Sequence, residues 1–533
     1  MRGRLVQPDL SLTRSAERPF ALGADATRRR LFFASKHELF RSLRTAGLTA
    51  LLLTAWLLFA SFPRGLSCSN DGSTLALIKA LAHDHSFAID NYFRLTGKID
   101  YSACNTHYYS DRPPGTAFAA WPFYLLGLQW GRLFRGVDWP TSALFGALLA
   151  PLLAALATVW LVARIGLSFG AAKQAALAAA AVFLLGSPAW IYSGTLFVHS
   201  IAAFCVTAAV ALAILLEQRL RADRAESAPQ SRSMRRLALL CGLTAGWSMI
   251  TDYSTLLLIP VYAVFLTWVA WRPRRRRLLL SWWLVGLAGP ALLLAIYNSL
   301  CFGGPFTTSY AYSVSFPWAH SLGTTYVTPL WEGLRGLLFI PAEKVPRGYP
   351  TGQLFWSPVL LLATIGYIIA LMNRRTRRPA ALACAVMLIV IAVSAKHRTW
   401  WGGGTGDARY IYAITPLWFA GLAPWLQLLT RPRARFLRWS LWSLTVLLIA
   451  ATLLLRYIWA TAVVGAHLAV LPGDQAYLAL HGKPHYLWQS MVILFTKWPT
   501  TKWLFPTLFL IFTVIGKTLG CDRIRRRNRE ESV

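Results

Sequence analysis

Long apolar runs separated by arginine-rich turns constrain this chain more than any other feature. The runs fall near residues 45–62, 141–163, 174–192, 196–216, 237–251, 254–271, 278–297, 354–372, 379–395, 410–429, 439–458 and 501–518. Several approach the roughly 18 apolar residues that read as a membrane helix. Over 533 residues the hydrophobic share is 56%, too apolar for a soluble chain of this size. The expected fold is therefore an all-α integral membrane protein with about 12 transmembrane helices. A net charge of +33 raises nucleic acid as a partner. Its placement argues against that reading, because the cations gather in short turns as in cytoplasmic loops. The first run follows a basic leader without a small-residue cleavage site, so we expect a retained span rather than a cleaved signal.

One further apolar stretch, 115–134 in "HYYSDRPPGTAFAAWPFYLLGLQWGRLF", decides the topology. Basic clusters lie at Arg28–Arg30, Arg219–Arg236, Arg272–Arg277, Arg374–Arg378, Arg431–Arg438 and Arg523–Arg529. If 115–134 crossed, every cluster after it would lie outside, against the positive-inside rule. If it does not cross, all six lie in the cytoplasm with both termini. We therefore expect 115–134 to be a re-entrant or interfacial segment on the outer face. Pro113 and Pro114 break the chain just before it, and Trp121, Tyr124 and Trp130 suit a membrane–water boundary. Long loops then collect outside, at 63–140, 298–353, 396–409 and 459–500. No internal repeat stands out, which weakens a transporter built from matched halves.

The ionisable residues of those loops are the candidates for chemistry. In "SCSNDGSTLALIKALAHDHSFAIDNYF", Asp71 stands at or near the start of an amphipathic helix. It reads either as a helix cap or as a general base at the mouth of a cavity. His83, Asp84 and His85 do not share a helix face and read as a solvated loop end. Asp111 and Arg112 precede the interfacial segment, and a guanidinium there grips phosphate bidentately or reaches lipid headgroups. His199 and Asp252 lie at span ends on the outer side, as cavity groups or in tight turns. In "KHRTWWGGGTGDARY", three glycines allow close approach to backbone, Trp401 offers a stacking face, and Arg409 opens the next span toward a lipid phosphate. Cys68 and Cys104 share the first outer loop; they pair there if the compartment is oxidising, or stay as two thiols. No GxSxG, HExxH or D-x-D motif is present, which disfavours a soluble nucleotide-sugar donor.

These features together resemble the GT-C superfamily of polytopic glycosyltransferases. The branch it is most similar to holds the bacterial aminoarabinose transferases and protein O-mannosyltransferases. The likeness rests on "NDGSTLALIKAL" after the first span and on the acidic-basic-Pro-Pro sequence of "YYSDRPPGTAFAAWPFYLLG". "YNSLCFGGPFTTSYAY" and "WWGGGTGDARYIYAITP" match more softly. The resemblance implies a GT-C-like catalytic module over 45–429, with juxtamembrane helices in its first outer loop. A cytoplasmic leader (1–44) precedes it. C-terminal spans (430–518) and a basic tail (519–533) follow. It implies a bacterial plasma-membrane enzyme with its site on the outer face, transferring a sugar from polyprenyl phosphate to an acceptor hydroxyl with inversion. Asp71 takes the place of the base. Asp111, Arg112, His199, Arg409 and Trp401 take substrate or lipid-phosphate roles. The partners implied are the lipid-linked sugar, membrane lipid and an acceptor glycan, lipid or protein, and the scheme requires no cofactor. His199 departs from the family, which carries an acid at the outer end of a middle span. The competing readings are a transporter or flippase of a lipid-linked or sugar-like solute, and a non-catalytic membrane scaffold.

Overall fold

The computed structural model describes residues 46–60, 68–133, 139–223, 231–270, 273–339, 352–402, 407–431 and 434–468. The expected leader, the last span at 501–518, most of the 459–500 loop and the basic tail lie outside these residues. Contacts divide the chain after Thr49. The first unit, Met1–Thr49, is described only in the opening turn of helix α1 (Ala46–Ala60). The second unit, Ala50–Val533, carries everything below.

Five helices of the described chain are long and apolar enough to cross a membrane: Ser142–Ser168, Val198–Ala222, Arg276–Phe302, Arg377–Lys396 and Arg435–Tyr457. They belong to α4 (Trp139–Ser168), α7 (Val198–Asp223), α10 (Pro273–Phe302), α15 (Arg377–Lys396) and α18 (Arg435–Leu468). Between α7 and α10 lies α8 (Ser231–Thr251). Helix α10 turns Leu292, Ile296 and Leu300 outward, each 46% exposed or more. These residues are spaced four apart, so they form one apolar stripe facing away from the protein. That orientation suits hydrocarbon rather than water.

Several expected spans are not single helices. The run at 174–192 is α5 (Lys173–Gly186) and, past Pro188, the short α6 (Ala189–Tyr192). The run at 254–271 begins as a 3₁₀ segment, Tyr253–Leu258, before α9 (Ile259–Val269). That at 354–372 splits at Pro358 into α13 (Gln353–Trp356) and α14 (Leu360–Met372). That at 410–429 is a 3₁₀ segment, Arg409–Ile414, followed by α16 (Thr415–Ala420) and α17 (Leu422–Leu429). A proline stands at a break in each of the four runs, Pro188, Pro260, Pro358 and Pro416, because proline lacks the amide hydrogen and clashes with the preceding turn. Breaks inside apolar protein expose backbone groups, which is tolerated where they are buried in protein or line a cavity.

The loops fall at two ends. At one, Ala172 N donates to Gln427 Oε1 (2.7 Å), Arg221 Nη1 donates to the Arg375 carbonyl (2.7 Å), and Arg378 lies over Trp268. This is the basic end. The other end holds the first loop: α2 (Ser69–Lys79), a hairpin of β1 (Tyr101–Cys104) and β2 (His107–Ser110), and α3 (Gly115–Leu133). The strands are antiparallel, with Tyr101 opposite Ser110 and Cys104 opposite His107. Helix α3 starts against Ile250 and Thr251, and its Gly127 packs on Ser142–Gly146 near the start of α4. Helix α4 then runs to the basic end, where Gly170 meets Thr376.

The α8–α10 pair crosses closely. A Cβ on Gly242 would lie 1.9 Å from the Trp283 carbonyl oxygen, and one on Gly286 would lie 2.0 Å from that of Leu239. Small residues let membrane helices approach backbone to backbone. Gly286→Leu is therefore expected to force the helices apart. A cost of about 1–3 kcal/mol follows from overpacking alone, and the check is loss of the monodisperse peak in detergent gel filtration.

Candidate functional site

The first loop builds half of the site. Cys68 occupies the N-cap of α2 with an extended backbone, and Asp71 follows in the first turn. Asp71 is 0% exposed. Helix α2 is pressed onto the neighbouring chain: a Cβ at Gly72 would fall 1.7 Å from the Leu95 carbonyl oxygen. Ser73 Oγ and Ser110 Oγ share a hydrogen bond of 2.8 Å, which ties the Asp71 helix to the end of β2. Asp111 follows directly and is also 0% exposed. Its backbone carbonyl accepts from Ser309 Oγ (2.9 Å), fastening the second outer loop to the first.

Arg112 sits between two carboxylates. Its Nε is 3.1 Å from Asp111 Oδ1, and its Nη2 pairs with Asp100. Ser69 Oγ donates to the other Asp100 oxygen (2.5 Å). Burial pushes the Asp111 carboxyl up, to about 7, against the pull of Arg112. Burial also works against the Arg112 charge, but Asp111 and Asp100 more than offset it and hold the guanidinium protonated.

The other half comes from the broken spans. Tyr192, at the end of α6, donates its hydroxyl to Asp407 Oδ2 (2.7 Å). Its ring lies 4.7 Å from that of His199, in the first turn of α7. His199 is 8% exposed and also meets Phe197 edge-on at 5.6 Å. Arg409 lies over Phe197 (5.7 Å) and Tyr410 (5.6 Å). Ala408 takes a left-handed backbone (φ 52°) and Gly402 another (φ 76°). A Cβ on Gly402 would press on Arg409 Cγ at 2.8 Å. Gly402 thus seats Arg409. Arg409 makes no ion pair among the described residues, and its Nε has no hydrogen-bond partner.

Electrostatics join the halves. The Cys68 thiol, pushed up to about 12 by burial, feels both the Asp71 carboxylate and the Arg409 guanidinium. His199 lies within reach of both Arg409 and Arg112. The structure therefore brings Asp71, Asp111, Arg112, His199 and Arg409 to one place from four separate stretches. Trp401 is half-buried; it meets Trp400 edge-on at 5.7 Å and packs on the main core.

Of the two readings for Cys68 and Cys104, the structure has them as two free thiols. Cys68 packs against the main core under Asp71, whereas Cys104 belongs to the cluster around the first loop with Cys301 and Phe302. The minor candidates have structural tasks. Asp252 caps the 3₁₀ segment, accepting from Ser254 N (3.0 Å). Asp84 accepts from Asn91 and Tyr92, and His83 Nε2 bonds Tyr124 Oη at 3.1 Å.

Sequence reasoning missed Arg456. It lies in mid-helix in α18 and is 0% exposed. Its Nε donates to Ser357 Oγ (2.8 Å), its Nη2 to Gln353 Oε1 (3.0 Å), and its guanidinium lies over Trp459 (5.5 Å). The signal was a single arginine inside "LIAATLLLRYIW", because a cation in a span turns to the protein interior and to polar partners.

His397, just past α15, yields a pH prediction. Burial, and then Arg409, push its imidazole down to about 4 from 6.5. Trp318, Tyr326, Tyr410 and Thr399 surround it, with no carboxylate in contact among the described residues. A depressed histidine stabilises the fold above its unfolded value and loses that contribution as pH falls from 6.5 toward 4. Thermal stability in detergent is expected to drop over that window by at most on the order of 3 kcal/mol from this group. His397→Gln should flatten the drop, as read from melting midpoints against pH.

No family model matches the chain. No curated protein matches it. Among solved structures, it is similar to the archaeal oligosaccharyltransferase AglB from Archaeoglobus fulgidus, in complex with an inhibitory peptide and a dolichol-phosphate. The identity is 14% and the TM-score 0.47, over 77% of this chain and 55% of that one. It is also similar to ArnT from Cupriavidus metallidurans bound to undecaprenyl phosphate, at 15% identity and TM-score 0.46, over 88% and 77% of the two chains. The apo Archaeoglobus fulgidus oligosaccharyltransferase gives 13% identity and TM-score 0.48, over 87% and 60%. The chain thus spans little more than half the length of the oligosaccharyltransferases.

Proposed function

We propose that the chain is a membrane glycosyltransferase that moves a sugar from a polyprenyl-phosphate donor to an acceptor hydroxyl. One observation carries the reading. Two fully buried carboxylates and a guanidinium with no ion pair among the described residues meet at one end of an otherwise apolar helical protein. Buried ionisable groups at membrane depth mark function by default.

In this scheme Asp71 accepts the proton of the acceptor hydroxyl as that oxygen bonds to the anomeric carbon. The bond from that carbon to the phosphate oxygen breaks, and its electron pair stays on the lipid phosphate. The sugar inverts. Arg409 meets the growing phosphate charge, because it has no carboxylate of its own among the described residues. Arg112 is already shared by Asp100 and Asp111, so it shapes the loop and adds to the local field. His199, between aromatic rings and near both cations, offers a hydrogen bond to the bound donor. The chemistry needs no cofactor.

The site end is the outer face in this reading, since the arginine-rich turns occupy the opposite end. Helix α3 starts at the site end, and α4 leaves that end for the basic end, so α3 begins and finishes on the site side. It is an interfacial helix and not a span.

The test is reconstitution in lipid with a panel of polyprenyl-phosphate sugars and an acceptor extract, following free polyprenyl phosphate. Release from one donor supports the transferase and names its sugar. Movement of lipid-linked sugar between leaflets with no release would instead establish a flippase.

A further inference from the structure

Five aromatic side chains span the gap between Arg112 and Arg409. Arg112 lies 5.9 Å from the centre of the Phe316 ring. Phe316 meets Trp318 at 5.8 Å, and Trp318 meets His397 edge-on at 5.4 Å. His397 is flanked by Tyr326 at 5.8 Å and by Tyr410 at 4.9 Å, and Tyr410 lies under Arg409. The chain of rings thus begins at one guanidinium and ends at the other.

The arc is held rigidly. At one side Ser102 Oγ donates to the Ser309 carbonyl (2.7 Å), and Val314 N donates to that of Tyr101 (3.2 Å). At the other, Arg398 N donates to the Thr325 carbonyl (2.7 Å), and Thr328 Oγ1 donates to that of His397 (2.9 Å). The rings are nonetheless only half-buried, whereas core rings such as Tyr297 and Phe419 are closed off completely. Thr399 N donates to His397 Nδ1 (3.2 Å). In the neutral imidazole the proton is then on Nε2, which has no hydrogen-bond partner among the described residues.

A fixed, partly open aromatic surface with a spare N–H at its centre and cations at both ends has a defined chemistry. The ring faces suit the C–H face of a saccharide. The His397 Nε2–H and the tyrosine hydroxyls suit its hydroxyl groups. Arg409, over the Tyr410 ring, leaves the phosphate next to it, one bond from the sugar.

We propose that Phe316, Trp318, Tyr326, His397 and Tyr410 form the saccharide subsite of the lipid-linked donor. This rests on the transferase reading and adds to it the residues that grip the sugar as distinct from the phosphate.

Equilibrium binding separates the two. Free polyprenyl phosphate and a panel of polyprenyl-phosphate sugars are titrated into the full chain in lipid nanodiscs. The chain is wild type, Trp318→Ala or Trp318→Phe. Wild type is expected to bind one sugar-bearing lipid at least tenfold more tightly than the free lipid phosphate. Trp318→Ala should lose most of that increment while binding of free lipid phosphate stays within twofold, and Trp318→Phe should retain it. An increment that survives in Trp318→Ala overturns the subsite, as does the lack of any increment in wild type that still binds lipid phosphate. Equal weakening of both ligands in Trp318→Ala also overturns it, since the residue would then act on the phosphate or the fold. Wild type that binds no lipid phosphate refutes the transferase reading itself, and the subsite with it.

Discussion

Asp71→Asn is expected to reduce sugar transfer by about 10²–10⁴-fold while leaving donor binding and the fold in place. The substitution keeps the shape of a side chain that is 0% exposed in the first turn of α2, and it removes only the charge and the capacity to accept a proton. The expectation depends on where Asp71 sits. It is not the cap of its helix, because Cys68 holds that position and makes no side-chain capping bond. In the first turn the carboxylate also favours the helix N-terminus. The Cys68 thiol beside it feels both Asp71 and Arg409, and Gly72 presses the helix against the Leu95 carbonyl. Turnover measured as release of free polyprenyl phosphate, alongside donor affinity and the melting midpoint, separates the roles. Loss of turnover with both other values unchanged identifies the base. Equal turnover in the two proteins removes Asp71 from the chemistry.

The alternation of apolar runs and arginine turns was enough to place the five long apolar helices of the described chain, since the outward faces of helices such as α10 are apolar and carry the signal themselves. Their ends were less legible. Arg276 and Arg277 lie within α10, and Arg435 and Arg438 within the first turn of α18, because long basic side chains let a helix continue into the headgroup region. The breaks were also hidden. An apolar run reads the same whether continuous or interrupted, and only Pro188, Pro260, Pro358 and Pro416 hinted at the pieces. Asp71, Asp111 and Arg409 stood out because charge is costly among apolar neighbours. The partner of Arg112 did not: Asp100 lies twelve residues upstream on the other strand side, and only the hairpin register brings it close. Arg456 was obscured by the strength of the apolar run around it.

The two arginines of the site are expected to respond in opposite ways to the same change. Arg409→Gln should lower turnover by about 10²–10³-fold, the scale seen when one preorganised donor to a developing anion is lost, with little change in stability. Arg409 stabilises no carboxylate among the described residues, rests on the rings of Phe197 and Tyr410, and leaves its Nε without a partner. Its removal breaks no ion pair among the described residues. Arg112→Gln should instead destabilise the first loop by on the order of 3 kcal/mol. It would leave Asp111 and Asp100 buried beside each other, with only Ser69 on Asp100 and the Ser313 hydroxyl near Asp111 to satisfy them. Melting midpoints and turnover of the two variants, taken together, test the assignment. If Arg112→Gln is as stable as wild type but inactive, and Arg409→Gln is unstable, the roles of phosphate cation and structural clamp are reversed. The double variant decides between independent and shared action: separate roles give additive effects within about 0.5 kcal/mol. A common phosphate gripped by both guanidiniums makes the second substitution cost less than the first.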